Sequence, residues 1–272
     1  MMNYIKRIYK GIFYRFFVVL WKRTSIKRKA VILEKYPMLG ALDWDRSVLL
    51  SVSSVQDIRR LHAARSEPYT ARWIAEDMRD GDCFYDIGAS VGAYSFIAVL
   101  AHNVTAYAFE PSAASFASLL ANVSNNGLGG QIIPLSIALS EKTGCTEFAY
   151  SSLSSGATKQ QGIGAPTGTA VPVRQIMYVW ALDDLVEKAK LKPPTHIKVD
   201  VDGSEMEVLR GMLKTLALPS VRLVQVEASQ GEKGTARKVA DILSLAGFKL
   251  AQANRENNLR ATDYLFRRSS VV

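Results

Sequence analysis

The stretch CFYDIGASVGAYSF, from Cys83 to Phe96, constrains the fold of this chain more than any other. An apolar run that ends at Ile87 is followed by Gly88 and Gly92, and an apolar pattern with helical spacing then continues through Phe96. This order predicts a buried strand, a tight turn and a helix. Glycine in such a turn allows the backbone to approach a ligand closely.

Strand-like and helix-like patterns alternate along the rest of the chain, which predicts an α/β fold with a doubly wound, mostly parallel sheet. We expect strands at about 83–87, 104–109, 131–137, 195–200 and 221–227, and helices at about 68–79, 92–101, 112–125, 179–190 and 204–216. Near the C-terminus, FKLAQAN and TDYLFRR predict an antiparallel hairpin that closes the sheet.

Three parts follow from these patterns: a basic amphipathic helix at 1–30, a helical extension at 31–66 and an α/β domain at 67–272. The region at about 144–176 is rich in Ser, Gly, Thr and Pro and is too long for an ordinary connection. We expect it to be a substrate loop.

The net charge of +9 is confined to the N-terminal segment. Nine of the 34 basic residues lie in 1–30, which contains no acid, so the remaining 25 basic residues match the 25 acidic ones. A protein that binds nucleic acid usually carries its basic residues around the binding cleft. The distribution therefore disfavours a nucleic-acid partner.

The segment 1–30 alternates basic residues with apolar ones at helical spacing, but its apolar run from Phe16 to Trp21 is far shorter than the roughly 20 residues that cross a bilayer. No small-residue cleavage site follows that run. Two interpretations stay open: a helix that lies peripherally on an anionic membrane, or a helix docked on the protein body. With two cysteines and no disulfide framework, we expect a cytoplasmic location, with or without membrane association.

The turn after Ile87 excludes a pyrophosphate-binding fingerprint, because Gly88 is followed by Ala89 and Ser90 where that fingerprint needs a second glycine. Glu110 ends the next predicted strand, where an acid accepts hydrogen bonds from both hydroxyls of a ribose. A nucleoside without a pyrophosphate fits this pattern, and S-adenosylmethionine is one. Asp86 would then engage its amino-acid end, directly or through water.

Several stretches resemble the FkbM family of S-adenosylmethionine-dependent methyltransferases over about residues 67–230: DIGASVGAYS, FEPS, IALSEKTG, ALDDLV and HIKVDVDGSEMEVLRGM. The most specific element is the series Lys198, Asp200, Asp202, Gly203 and Glu205. The resemblance implies a class I methyltransferase (Rossmann-like) fold and O-methylation of a hydroxyl on a saccharide, glycolipid or natural product. The glycine turn and the family resemblance together predict that the cofactor is bound by Asp86, Gly88, Ala89, Ser90, Gly92, Glu110, Pro111, Ser136, Ala138 and Asp200.

A hydroxyl acceptor needs a base that removes its proton, and carboxylates at the carboxyl edge of the sheet are the candidates. These candidates are Asp200, Asp202, Glu205 and Glu227, of which Asp200 is favoured. For Asp202 and Glu205 the alternative is a structural role at the start of a helix. A magnesium ion held by Asp200, Asp202 and Glu227 is a less favoured alternative.

Two other functions stay open at this point. A nicotinamide-dependent oxidoreductase would use the same fold, and a binding module would keep the fold and bind the cofactor without catalysis.

Overall fold

The computed structural model describes residues 38–150, 155, 161–163, 173–201, 203–229, 235–255 and 261–269, together with Ser25 and Arg28. The chain divides into two compact units, Met1–Met38 and Leu39–Val272. Nearly all of the first unit, including the helix predicted at 1–30, lies outside the described residues. Within the described residues, no helix has the length and apolar character needed to cross a membrane.

The second unit contains both strands and helices. The strands are β1 Leu39–Ala41, β2 Leu49–Ser51, β3 Cys83–Ile87, β4 Thr105–Phe109, β5 Ile132–Leu135, β6 Ala138–Leu139, β7 Gly144–Tyr150, β8 Gln161–Ile163, β9 Val173–Trp180, β10 His196–Val199, β11 Leu223–Ser229, β12 Phe248–Arg255 and β13 Ala261–Arg268. The helices are α1 Val55–Arg60, α2 Ala63–Ser66, α3 Pro68–Asp77, α4 Ala93–Ala101, α5 Ala113–Asn125, α6 Leu182–Ala189, α7 Glu205–Arg210, α8 Leu213–Ala217 and α9 Thr235–Leu245.

The central sheet has the strand order β12-β13-β11-β10-β3-β4-β5. Strands β11, β10, β3, β4 and β5 pair in parallel, whereas β13 is antiparallel to both β11 and β12. The predicted doubly wound, mostly parallel sheet with a C-terminal antiparallel hairpin is thus confirmed.

Apolar side chains cover both faces of the sheet, because neighbouring residues of a strand point to opposite sides. Phe84 packs with residues of α3, α4 and α5 on one face. Tyr85 packs with residues of α6, α7, α8 and α9 on the other. Both faces being buried explains why β3 is apolar almost throughout.

Residues 31–66, predicted to be a helical extension, include two short strands before the first helix. β1 and β2 pair as an antiparallel hairpin. The carboxylate of Asp45 accepts a hydrogen bond from the backbone N–H of Ser47 at 2.8 Å, which favours a turn over a helix. Leu42, Val48 and Leu50 bury the hairpin against the core on the α3, α4 and α5 face.

The predicted helix at 204–216 is two helices, α7 and α8, which meet at Gly211. A Cβ atom at Gly211 would lie 2.0 Å from the backbone oxygen of Ser140, so the chain needs glycine where it passes that loop. The contact is between residues distant in sequence, and helical periodicity carries no sign of it.

The region at 144–176, predicted to be a substrate loop, begins and ends in strands. β7 and β9 pair antiparallel from Gly144 opposite Val179 to Tyr150 opposite Val173. Together with β6 and β8 they form a second, four-stranded sheet. Most of the connection between β7 and β9 lies outside the described residues.

Candidate active site

The segments that follow β3, β4 and β10 meet at the carboxyl edge of the central sheet. Backbone hydrogen bonds continue past the strand ends: Asp200 N–H donates to Ile87 O at 2.9 Å, and Gly88 N–H donates to Phe109 O at 2.9 Å. Glu110 N–H donates in turn to Leu135 O at 3.0 Å. Parallel pairing thus brings together residues that lie far apart in the sequence, as expected for the ligand-binding edge of such a sheet.

The glycine turn, residues 88–92, has a backbone conformation that residues with a side chain rarely adopt. Gly88 has φ +85°, and a Cβ atom there would lie 1.8 Å from the backbone oxygen of Asp200. Gly92 has φ +95° and Ser90 has φ +53°. The turn after β3 therefore packs directly against the segment after β10, and both glycines are required by the geometry.

Asp86 is the last but one residue of β3, and its side chain is fully buried. One oxygen accepts a hydrogen bond from Ser95 Oγ at 2.7 Å, and the other has no hydrogen-bond partner among the described residues. Burial raises the pKa of Asp86, although Lys198 opposes the rise. Ser90 Oγ, in the glycine turn, is likewise buried without such a partner.

Glu110 lies directly after β4 with its carboxylate against the glycine turn. One carboxylate oxygen accepts the N–H of Ser90 at 2.8 Å, and the other accepts the N–H of Ser112 at 2.7 Å. Burial raises the pKa of Glu110 to about 7, against the effect of these two hydrogen bonds. Each oxygen keeps a second lone pair for a further donor.

Lys198 and Asp200 form a buried ion pair. They are two residues apart on and just after β10, so their side chains point to the same face. Lys198 Nζ donates to Asp200 Oδ2 at 2.7 Å, with the lysine side chain 2% and the aspartate side chain 20% exposed. Lys198 Nζ also lies 4.8 Å from the ring centre of Tyr94. Burial opposes the charged form of Lys198, but the nearby carboxylates raise its pKa.

Glu227, near the end of β11, is hydrogen-bonded to Asp200. Burial and the charge of Asp200 raise the pKa of Glu227 to about 9. Burial also disfavours ionised Asp200, but Lys198 and Arg60 outweigh this effect and lower its pKa to about 2. Both effects favour the proton on Glu227 over the proton on Asp200.

Sequence reasoning did not place Glu67, Tyr94 and Asp263 at this site. Glu67 is hydrogen-bonded to Tyr94, and its charge acts on both Lys198 and Asp263. Burial raises the pKa of Asp263 to about 7; Tyr69 and Gln225 donate to its carboxylate. An acid within the apolar pattern of a predicted strand, as in TDYLF, is the signal that would have marked Asp263.

The other predicted site residues lie around this edge with different degrees of contact. Ala89 is buried in the glycine turn, Pro111 follows Glu110, and Ser136 and Ala138 flank the end of β5 and the start of β6. Ser136 is exposed and Ala138 buried. Among the described residues, no contact of these four side chains assigns them a role.

Glu205 is buried at the first turn of α7, and its carboxylate accepts the N–H of Gly203 at 2.8 Å. This bond supports the structural alternative for Glu205. Asp202 lies outside the described residues. Among those that are described, no group of three or more His, Cys, Asp or Glu side chains is placed to hold a metal ion.

The edge fits S-adenosylmethionine on its chemistry. Buried polar atoms in proteins normally have hydrogen-bond partners, and the orphaned atoms of Asp86 and Ser90 both lie at the glycine turn. Carboxyls suit the ammonium and sulfonium charges of this ligand, and the remaining lone pairs of Glu110 suit two ribose hydroxyls.

Comparisons with known proteins point to one family. A model described as the methyltransferase FkbM domain matches residues 86–250. The chain is 33% identical over 181 residues to the hexuronic acid methyltransferase AglP of Haloferax volcanii. This match covers 66% of this chain and 70% of that protein. It is 28% identical over 197 residues to the 31-O-demethyl-FK506 methyltransferase FkbM of Streptomyces tacrolimicus, covering 63% and 74%.

The fold is also shared with a solved structure. The crystal structure of magnesium protoporphyrin IX methyltransferase from Synechocystis PCC 6803, with bound S-adenosylmethionine, matches with a TM-score of 0.50 and 14% identity. The match covers 80% of this chain and 86% of that one. The class I methyltransferase fold predicted from the sequence is thereby confirmed.

Proposed function

Because this chain belongs to the FkbM family of S-adenosylmethionine-dependent methyltransferases, we propose that it transfers the methyl group to a hydroxyl oxygen of a saccharide, a glycolipid or a natural product. Family membership favours this activity over a nicotinamide-dependent oxidoreductase. One relative is named for a hexuronic acid, which is a sugar acid, and the other for an O-demethyl natural product. Both names support an oxygen acceptor on a molecule of this class.

The observation that carries the proposal is the carboxyl pair Asp200 and Glu227 beside the glycine turn. A hydroxyl is a weak nucleophile until a base takes its proton. Asp200 was favoured for this role from the sequence, but a pKa of about 2 makes it a weak base. Glu227, with a pKa of about 9, is the stronger base of the pair once it is ionised.

In the mechanism we infer, the ionised carboxylate of Glu227 accepts the proton of the acceptor hydroxyl. Lys198 holds Asp200 through the 2.7 Å ion pair, and Asp200 orients Glu227 through their hydrogen bond. S-adenosylmethionine supplies an already activated methyl group on its sulfonium. The remaining increase in the rate of methyl transfer then comes mainly from the protein aligning the acceptor oxygen with this methyl group.

Residues at the turn would hold the cofactor. Glu110 would accept the ribose hydroxyls, and Asp86 the ammonium of the amino-acid end, directly or through water. Gly88 and Gly92 would let the backbone approach it. The buried setting strengthens each of these interactions, because water competes less for the same groups.

The direct test is to incubate the protein with S-adenosylmethionine labelled in its methyl group and a panel of saccharides, uronic acids and natural-product alcohols. We expect a labelled product that survives mild alkali, because a methyl ether is stable there. Release of the label as methanol would identify a methyl ester on a carboxylate and overturn the hydroxyl acceptor. S-adenosylhomocysteine formation without an added acceptor is the background control.

A further inference from the structure

Asp263 lies directly beside Glu227 in the central sheet. The two residues are paired across β11 and β13, which run antiparallel. Residues that are directly opposite in such a pair point to the same face, and their Cβ atoms lie about 4.5 to 5.5 Å apart. Leu265, two residues further along β13, packs on the α3, α4 and α5 face, so Asp263 and Glu227 lie on that face too.

Hydrogen bonds from α3 orient the side chain of Gln225, which lies two residues before Glu227. The indole N–H of Trp73, which can only donate, donates to Gln225 Oε1, so the amide nitrogen of Gln225 points the other way. Gln225 Nε2 donates to Asp263 Oδ1 at 2.8 Å and to Thr70 Oγ1 at 2.9 Å. Since Gln225, Thr70 and Trp73 are all buried, this network presents a donor to Asp263 in a fixed position.

The other carboxyl oxygen of Asp263 is held by Tyr69. The hydroxyl of Tyr69, in the first turn of α3, donates to Asp263 Oδ2. One donor on each oxygen suits an ionised carboxylate, which only accepts hydrogen bonds. Asp263 is 7% exposed, so these two donors take the place of water around its charge. The network thus holds a carboxylate in one position beside Glu227.

A fixed negative charge disfavours ionisation of the carboxyl next to it, because like charges repel strongly where little water screens them. Burial and Asp200 raise the pKa of Glu227 to about 9, and Asp263 acts in the same direction. Asp263, whose pKa is about 7, is already ionised in the pH range where Glu227 loses its proton. The other titratable groups that act on this pair are Lys198 and Asp200 from β10 and the residue after it, and Glu67 and Tyr69 from the start of α3.

We propose that Asp263 is a positioning residue for the reaction: its carboxylate, held by Tyr69 and Gln225, keeps the proton on Glu227 to a higher pH and so makes Glu227 a stronger base towards the acceptor hydroxyl. Asp263 acts through Glu227 and need touch neither the acceptor nor the cofactor. This inference rests on the proposed function, since it concerns the base of the same reaction. It brings into that reaction a residue from beyond the matched region 86–250.

The titration of Glu227 can be followed without any acceptor, by NMR of the full chain with glutamate isotopically labelled at its side-chain carboxyl carbon. The signal that is missing from Glu227→Gln identifies Glu227. Asp263→Asn should lower the midpoint of that titration by about one pH unit or more, because the neighbouring charge is gone. The variant keeps the volume and the network, since the amide accepts from Gln225 through its oxygen and donates to the Tyr69 oxygen through its nitrogen.

Tyr69→Phe is the matched control, because it removes a donor to Asp263 and leaves the charge of Asp263 in place. In this variant the midpoint of Glu227 should not fall. An unchanged midpoint in folded Asp263→Asn, or an equal fall in both variants, would overturn the inference. In the unmodified protein the Glu227 signal should also show a smaller step at about pH 7, where Asp263 loses its proton. If Asp263→Asn does not fold, the absence of this step overturns the inference instead.

Saturated turnover connects the effect to the reaction. With the acceptor that the labelled panel identifies, turnover of Asp263→Asn should begin to rise at a lower pH and should reach a lower plateau, because a weaker base ionises earlier and takes the proton less well. A lower rate with an unshifted pH profile would indicate a structural role and overturn the inference. If no acceptor is methylated while the Glu227 titration shifts as expected, the proposed function fails and the effect of Asp263 on Glu227 stands.

Discussion

Several carboxyl groups at this site have pKa values well above those they would have in water. Burial raises the pKa of Glu110 and Asp263 to about 7 and, together with the charge of Asp200, that of Glu227 to about 9. Such values occur at functional sites, because chemistry needs groups that titrate near the working pH. Lys198 and Arg60 keep Asp200 ionised among them.

Glu110→Gln should weaken S-adenosylhomocysteine binding by about 10- to 100-fold, because a carboxylate gives charge-assisted hydrogen bonds to ribose and an amide gives weaker ones. In the unmodified protein, affinity should rise as the pH increases through about 7, since the ionised Glu110 is the better acceptor. Calorimetry between pH 6 and 8 measures both effects. A variant with normal affinity, or a flat pH dependence in the unmodified protein, would contradict the ribose role.

Glu227→Gln should lower saturated turnover by about 10²- to 10⁴-fold, because the amide still donates to Asp200 but cannot accept a proton. In the unmodified protein turnover should rise with pH towards about 9, as Glu227 loses its proton, and the variant should lack this rise. Steady-state rates from pH 6 to 10 test it, with S-adenosylhomocysteine affinity as the control for an intact site.

Asp200→Asn distinguishes the two carboxyls. It removes the negative charge that pairs with a buried lysine, so we expect a loss of stability as well as of turnover, with thermal unfolding as the measurement. If Glu227→Gln turns over normally while Asp200→Asn is folded and inactive, the base is Asp200, as the sequence first suggested.

At the scale of elements, the site is made by turns that follow parallel strands. The bonds from Asp200 to Ile87 and from Gly88 to Phe109 extend the sheet beyond its strands and fix three turns against each other. Their position depends on a close approach that only glycine permits.

Gly88→Ala should abolish cofactor binding and destabilise the protein, whereas Gly81→Ala should do much less. The two glycines have φ +85° and +86°, but a Cβ atom at Gly88 would lie 1.8 Å from Asp200 O, and one at Gly81 would have no atom of the described residues within 4 Å. Both variants carry the left-handed backbone cost of about 1 to 2 kcal/mol, and only Gly88→Ala adds overpacking of about 1 to 3 kcal/mol. Urea unfolding and calorimetry measure the difference; equal effects would contradict the packing argument.

At the scale of the whole molecule, elements outside the matched region 86–250 complete the site. Arg60 and Glu67 precede it, and Asp263 follows it on β13, opposite Glu227. The hairpin β1–β2 with its helices, and the closing hairpin of the sheet, therefore contribute charges as well as buried surface.

The basic segment gives a prediction at the same scale. Deleting residues 1–30 should abolish binding to vesicles of anionic phospholipid, because that segment carries the whole net positive charge, and should leave S-adenosylhomocysteine affinity within about twofold. Co-sedimentation with anionic and with neutral vesicles measures it. Equal binding by the truncated protein would contradict the membrane interpretation, and loss of folding would favour a helix docked on the body.

The sequence by itself determined the elements whose patterns are local. The apolar runs of β3, α4 and the pair β12 and β13 were predicted within a few residues, because period and turn residues are written in neighbouring positions. The positions of Gly88 and Glu110 were predictable for the same reason, because each residue directly follows a strand that the neighbouring sequence identifies.

Only the tertiary structure decided which charges meet. Glu67, Lys198 and Asp263 come from three separate parts of the chain, and their effects on pKa depend on burial and on distances that strand pairing creates. Position 211 likewise needs glycine because the backbone of Ser140 lies against it, and these two residues are 71 positions apart in the sequence. Electrostatics and packing act through space. That Glu227 is a stronger base than Asp200 therefore follows only from the tertiary structure, which places both side chains at one edge of the sheet.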